Sequence, residues 1–315
     1  MSDWHWKDLR FQVKSDPFRR AQRRLLQGWW RATQLGLPAG RDEFGLLRNN
    51  MLPKSALAED PLLNFLCPEV GRYAEQRAPI ILAEEGTLEQ DRLWRNLLSS
   101  MPLCFNLFGK LRANPDAAAQ VLALVTELDV AEVDEIEVEW TPEGQGLLGD
   151  KTAFDAFVSY RTVDGRRGFF AVETKYTESF SRKIYDKPRY REVTAWAESG
   201  FRAGAADVLR GIETNQLWRN ALLALAVRRA HQFDEGRVLL VALEDDPHVD
   251  RAMKLVSSVH DDPQGLIQVA TLERLIDAAN QQAELREWAA DFERRYLDLS
   301  PLSMREPNGA HGFRP

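Results

Sequence analysis

Residues 168–176 read GFFAVETKY and set an acid and a lysine two apart in a stretch that is otherwise mostly apolar or aromatic. Alternate side chains of a strand point to opposite faces, so Glu173 and Lys175 share one face while Phe170, Val172 and Thr174 take the other. Unpaired charge is costly to bury, so this pattern needs either a solvated face or a polar site built on the strand. The preceding candidate strand, TAFDAFVSY over 152–160, is interrupted in the same way by Asp155. Two readings are equally open: an ordinary Glu–Lys pair facing water, and a divalent-metal site. In the second, Asp155 and Glu173 supply hard oxygen ligands suited to Mg²⁺ or Mn²⁺, and the backbone carbonyl of Thr174 supplies another. Lys175 would orient the attacking water or help deprotonate it. Register is an obstacle. A two-residue Asp164-Gly165 turn pairs Val163 with Arg166 and sets Asp155 opposite Thr174, on the wrong face. A working site therefore predicts an odd-numbered loop or a bulge that brings Asp155 opposite Glu173 or Lys175.

The surrounding periodicity suggests the frame. Residues 86–101 (GTLEQDRLWRNLLSSM) predict an amphipathic helix with a Thr87–Gln90 capping box. Residues 116–128 predict a second helix, opened by Pro115 and Asp116. Alternation over 135–140, 152–160 and 168–176 predicts three consecutive strands. A long helix is expected over about 205–231. The apolar run 237–243 (RVLLVAL) fits a strand covered on both faces. A helix over 248–259, a short strand over 266–270 and a final helix over 271–296 complete an α/β fold, a mixed sheet flanked by helices. Residues 1–82, rich in Arg, Trp and Leu and broken by Pro and Gly, predict a helical N-terminal extension packed on a core domain over 83–299. Residues 300–315 are expected to form a loose tail.

Composition narrows the partners. The chain has 315 residues and a net charge of −7, which rules out a uniformly basic nucleic-acid binder but not a local basic face. Residues 1–31 and 161–191 each carry +5, leaving −17 for the remainder. Two cysteines, Cys67 and Cys104, cannot form a disulfide framework and show no zinc spacing. With no apolar run long enough to span a bilayer and no secretory h-region, a cytoplasmic location without membrane association is expected. The five histidines are scattered, and no phosphate-loop, dinucleotide or serine-hydrolase motif is present.

An Asp on one strand and Glu-x-Lys on the next, with helices before and after, resembles the PD-(D/E)XK nuclease superfamily. The segments SSMPLCFNLFG (99–109), KTAFDAFVSY (151–160), VETKYTE (172–178) and NQLWRNALL (215–223) resemble a bacterial branch of it. The Pro of the superfamily's name is missing; Phe154 precedes Asp155. The resemblance implies a restriction-endonuclease-like αβββαβ core over about 85–245 and metal-dependent phosphodiester hydrolysis. By position it makes Asp155 and Glu173 metal ligands and Lys175 the water-orienting base. Some members add a helix acid, for which Glu89 is the candidate and Glu85 the reserve, and some place a Gln near the metal, for which Gln216 stands. The implied partner is nucleic acid, DNA first and RNA second. A homodimer stays open, because cutting both strands of a duplex often takes two active sites.

Basic residues near the motif offer a substrate path. Residues 182–191 (RKIYDKPRYR) interleave Arg182, Lys183, Lys187, Arg189 and Arg191 with two tyrosines, a composition suited to backbone neutralisation and base stacking as much as to a solvated loop. Leu-Trp-Arg-Asn occurs at 93–96 and 217–220; Arg95 and Arg219 could reach phosphates, but Trp anchors on two amphipathic helices explain the repeat more simply. Arg19, Arg20, Arg23 and Arg24 form a basic helix face that either meets phosphates or pairs with the acidic remainder. The alternative to an enzyme is a catalytically silent nucleic-acid-binding or protein-interaction module on the same fold.

Overall fold

The computed structural model describes residues 7, 11, 13–84, 86, 88–142, 147–244 and 246–303. Helix α1 (Phe18–Trp29) runs into a π-helical turn, Trp30–Gln34. Two-residue strands β1 (Gly40–Arg41) and β2 (Leu47–Arg48) pair as a small hairpin, followed by α2 (Lys54–Glu59) and α3 (Pro68–Ala83). Helices α4 (Gln90–Arg95), α5 (Ser100–Arg112) and α6 (Pro115–Thr126) lead into β3 (Glu132–Trp140), β4 (Phe154–Arg161) and β5 (Arg167–Thr174). Helices α7 (Pro188–Thr194), α8 (Ala205–Leu209) and α9 (Asn215–Ala230) return the chain to β6 (Glu235–Ala242). Then come α10 (Pro247–Val259), α11 (Pro263–Leu266), β7 (Ile267–Thr271), α12 (Leu272–Asn280) and α13 (Arg286–Phe292), with helical turns at Glu293–Leu297 and Ser300–Ser303. No helix among the described residues is long and apolar enough to cross a membrane.

The sheet has the order β3-β4-β5-β6-β7, antiparallel from β3 to β5 and parallel from β5 to β7. Both faces are covered. Val138, Ala156, Val158, Phe170, Val172, Leu239 and Val241 pack on one side with residues of α3, α5, α6, α12 and α13. Phe157, Phe169, Ala171, Val238 and Leu240 pack on the other with α9 and α10. Helix α3 thus shares one core with the sheet, and α1 is tied to the far end of the chain by Arg23, which donates to the Tyr296 and Leu297 carbonyls at 2.9 and 2.8 Å.

The β4–β5 register is the one a site needs. Arg161 pairs with Arg167, Thr162 N donates to Arg166 O at 3.0 Å, and Gly165 N donates to Thr162 O at 2.9 Å. The loop is therefore three residues, 163–165, with Gly165 at φ +82° closing it. Ala156 lies opposite Val172, so the next step places Asp155 opposite Glu173. Gly165→Ala must hold a Cβ in the left-handed region; we expect a loss of about 1 kcal/mol, read as a lower urea midpoint at unchanged slope.

Three predicted helices are interrupted. The helix expected over 86–101 splits into α4 and α5, because Asn96 leaves the helix to bridge Met51 and Leu97 N donates to Asn50 O. Thr87, of the expected capping box, lies outside the described residues. Ser99 instead caps α5, accepting from Met101 N at 3.2 Å. Ten of the thirteen residues of α5 are buried, so it carries no one-sided period to reveal it. The helix expected over 205–231 breaks at 210–214, where Thr214 Oγ1 donates to the Leu209 carbonyl. The final helix breaks between α12 and α13.

Candidate active site

Along β5 the face bearing Phe169 and Ala171 continues into Glu173 and Lys175. Neither side chain is solvated: Glu173 is 2% exposed and Lys175 7%. The Lys175 ammonium lies 2.8 Å from Glu173 Oε1. From α9, Gln216 Nε2 donates to Glu173 Oε1 at 2.7 Å and Asn220 Nδ2 donates to Oε2 at 2.5 Å. Gln216 Oε1 in turn accepts from Lys175 Nζ at 3.1 Å and from Ser181 N at 2.8 Å. Residues 216 and 220 are one turn apart, so a single helix face meets both oxygens of one carboxylate. The solvated Glu–Lys pair is thereby excluded.

Across the ladder, Asp155 Oδ2 accepts the backbone N–H of Thr174 at 2.8 Å. Burial, then the neighbouring charge of Glu173, pushes the Asp155 carboxyl from its usual value up to about 7. Burial works against the charge of Lys175, but Glu173 and then Asp155 outweigh it and raise its pKa. In the metal-free site Lys175 is thus favoured in its charged form, paired with Glu173.

These groups open into a cleft of about 480 Å³ whose walls include Glu139, Glu178, Arg20 and Arg92. Glu178 caps the entrance to α5, accepting from Ser100 N at 3.0 Å. Glu139 sits on β3 with φ +53°, a left-handed conformation that costs a non-glycine residue roughly 1 kcal/mol. It breaks the alternation of β3 and turns Trp140 onto Phe154 and Phe157, with ring centroids 5.6 and 4.4 Å apart. Burial, then Asp155, pushes the Glu139 carboxyl well above its ordinary range.

The other expected residues fall into three groups. Gln216 is at the site. Glu89 is exposed at the start of α4 and points to Arg92 at 3.9 Å; it does not line the cleft, and Glu85 lies outside the described residues. Among the basic candidates, Lys187 donates to Gly149 O, Arg189 to Glu192 and the Leu147 carbonyl, and Arg191 to Asp186 and Asp207 at 2.7 and 3.2 Å. Arg219 donates to Thr152 Oγ1 at 2.7 Å and stacks over Tyr185. Arg182 and Lys183 are exposed and form no ion pair with a described residue, and Arg182 lines a smaller cleft sharing Ser179 with the main one. Arg95 is absorbed by Asp91 and the Leu52 and Arg41 carbonyls, and Trp218 is fully buried, so the repeated Leu-Trp-Arg-Asn is largely structural. Tyr176 is buried on the opposite face and donates to the Tyr296 carbonyl at 3.0 Å, as its position on the strand requires.

The donor set suits a hard cation. Asp155 and Glu173 offer oxygen only, from adjacent strands, and no described histidine lines the cleft; Cys104 donates to the Asp155 carbonyl, and burial raises its thiol pKa. Among the described residues no group of three or more His, Cys, Asp or Glu is arranged around one point. Two carboxylates with water filling the remaining positions is a Mg²⁺-like arrangement rather than a closed cage. No curated protein and no solved structure is significantly similar to the chain. A family model described as the PD-(D/E)XK nuclease superfamily matches residues 14–298. With nearly the whole chain matched, and with helices before three antiparallel strands, then a helix and a parallel strand, the chain belongs to the PD-(D/E)XK nuclease superfamily and has its restriction-endonuclease-like fold.

Proposed function

We propose that the protein is a Mg²⁺- or Mn²⁺-dependent nuclease that hydrolyses phosphodiester bonds in DNA. The observation that carries this reading is the set of half-buried Asp155 with buried Glu173 and Lys175, completed by Gln216 and Asn220. Asp155, Glu173 and the Thr174 carbonyl would hold the cation, which would supply polarisation of the phosphate and a lower pKa for the attacking water. Lys175, paired with Glu173, would orient the attacking water, whose proton passes to a base or to bulk solvent, and would stabilise the charge that grows on the phosphoryl oxygens. Gln216 fixes Lys175 against Glu173 and ties both to the 181–185 loop through Ser181 N. Arg182 and Lys183 then face the substrate backbone.

Incubation with supercoiled plasmid, linear duplex, single-stranded DNA and RNA, each with Mg²⁺, Mn²⁺ or EDTA, tests this. Metal-dependent cutting of a DNA substrate is expected. Cutting of RNA alone would correct the polymer, and binding without cutting would favour the silent module.

Asn220 should act through Glu173. Asn220→Ala removes one of the donors that aim the carboxylate, and the loss of a hydrogen bond that orients a metal ligand weakens metal affinity by about 10–100-fold. We expect slow cleavage at low Mg²⁺ that recovers at high Mg²⁺; equal loss at all concentrations would contradict that role.

A further inference from the structure

The geometry points to Arg20 and Arg92 as a two-arginine cradle that receives the phosphate being cut, so that the N-terminal helix is part of the active site. This rests on the nuclease reading above. Both side chains line the cleft that holds Asp155, Glu173 and Lys175, and they come from different elements, α1 and α4.

The other arginines of the two helices are committed elsewhere. Arg19 donates to the Glu244 carbonyl, Arg23 to the carbonyls of Tyr296 and Leu297, and Arg24 to Asp16 and Asn50. On α4, Arg95 is bonded to Asp91 and two backbone carbonyls. Arg20 and Arg92 are held more loosely. Arg20 lies 3.3 Å from Asp16, but that one carboxylate also serves Arg24 at 2.6 Å, so the pair of arginines keeps one uncompensated charge. Its second contact is the neutral hydroxyl of Thr177, at 2.8 Å. Among the described residues Arg92 meets Ser99 Oγ at 3.3 Å and Glu89 at 3.9 Å, the latter more than half exposed, and otherwise faces Glu139 and Asp155 through charge alone. Loosely held guanidinium groups lining a cleft can turn to a phosphodiester and meet its two non-bridging oxygens through two parallel hydrogen bonds.

The charge count agrees. Glu139, Asp155, Glu173 and Glu178 against Arg20, Arg92 and Lys175 give the cleft a formal charge of −1. A divalent cation reverses that to +1, the complement of one phosphodiester. Without the arginines the loaded cleft would have no net positive charge with which to attract the backbone it must admit.

The test uses the full chain and fluorescein-labelled DNA with phosphorothioate linkages, in Ca²⁺, read by fluorescence anisotropy across a salt series. Arg20→Gln and Arg92→Gln should each weaken binding about five- to tenfold and lower the slope of log K against log salt by about one. Arg92→Lys should restore the slope and only part of the affinity. Mn²⁺ binding, measured by calorimetry on the same variants, should stay within about twofold of the wild type, which separates a phosphate contact from a disturbed metal site. Unchanged affinity and slope in both Gln variants would overturn the cradle while leaving the nuclease reading intact. Lost Mn²⁺ binding would overturn it too, by placing the arginines' effect on the carboxylates. Absence of any DNA binding or cleavage by the wild-type protein would instead count against the nuclease reading itself.

Discussion

Asp155→Asn is expected to abolish cleavage and, in the same molecule, to make the metal-free protein more stable at pH 8. Burial and Glu173 raise the folded-state pKa of Asp155 from its usual 3.8 to about 7. The folded state thus binds the proton more tightly than the unfolded chain does. The resulting stabilisation is complete below about pH 4 and is lost as pH rises through 7, leaving an ionised, half-buried carboxylate beside Glu173 above that. Every tenfold difference in proton affinity between the folded and unfolded chain is worth about 1.4 kcal/mol, so the cost at pH 8 is of the order of a few kcal/mol. Asn keeps the acceptor that meets Thr174 N and removes the charge. A rise in melting temperature of several degrees in EDTA should accompany the loss of activity, a trade between stability and function at one residue. The same proton should govern metal uptake. Below pH 7 the cation must displace it, so metal affinity should fall about tenfold for each step of one in pH and level off above 7. A variant that is destabilised in EDTA, or that still cuts, contradicts this account of Asp155.

Lys175→Met is expected to abolish cleavage with the opposite effect on stability. Lys175 is the charge partner of Glu173 at 2.8 Å, and both are buried. Removing one member of such a pair leaves the other uncompensated, at a cost of about 3–5 kcal/mol. Gln216 and Asn220 still donate to Glu173, so the loss should sit at the lower end. Saturating Mg²⁺ should recover part of it, since a cation on Glu173 replaces the missing charge. The rate should drop by roughly 10²–10³-fold or more, the usual cost of removing an electrostatic donor from a reacting centre. Denaturant midpoints with EDTA and with Mg²⁺, beside single-turnover cleavage, read both effects. A rate within about threefold of the wild type would remove Lys175 from the chemistry.

What the sequence revealed and what it concealed have physical reasons. The period-two patterns of β3, β4 and β5 were legible because each is long and carries apolar residues in alternation. From that, the odd loop at Gly165 followed as a condition on the site, and the structure meets it. Gln216 came from the family resemblance. Asn220 sits one turn further on, but in sequence nothing separates it from the Asn96 of the same tetrapeptide, which serves a different bridge. Glu139 was hidden among the alternating Glu135, Glu137 and Glu139, because its left-handed backbone is set by tertiary packing and glutamate does not advertise it. Glu89 looked suitable as a helix acid, but the helix begins only at Gln90, so its side chain turns to solvent and Arg92. The basic run 182–191 was visible as charge, whereas its partition into paired and unpaired cations depends on which arginine Asp186 within the run turns to and on Glu192 and Asp207 outside it.

The central claim is that Asp155 and Glu173 are built to hold a divalent cation. Calorimetric titration of Mn²⁺ into the wild-type protein and into Glu173→Gln at pH 8 tests it most directly. Saturable binding by the wild-type protein, lost in the variant, is the predicted result; no heat of binding in the wild type, or equal binding in both, would contradict it.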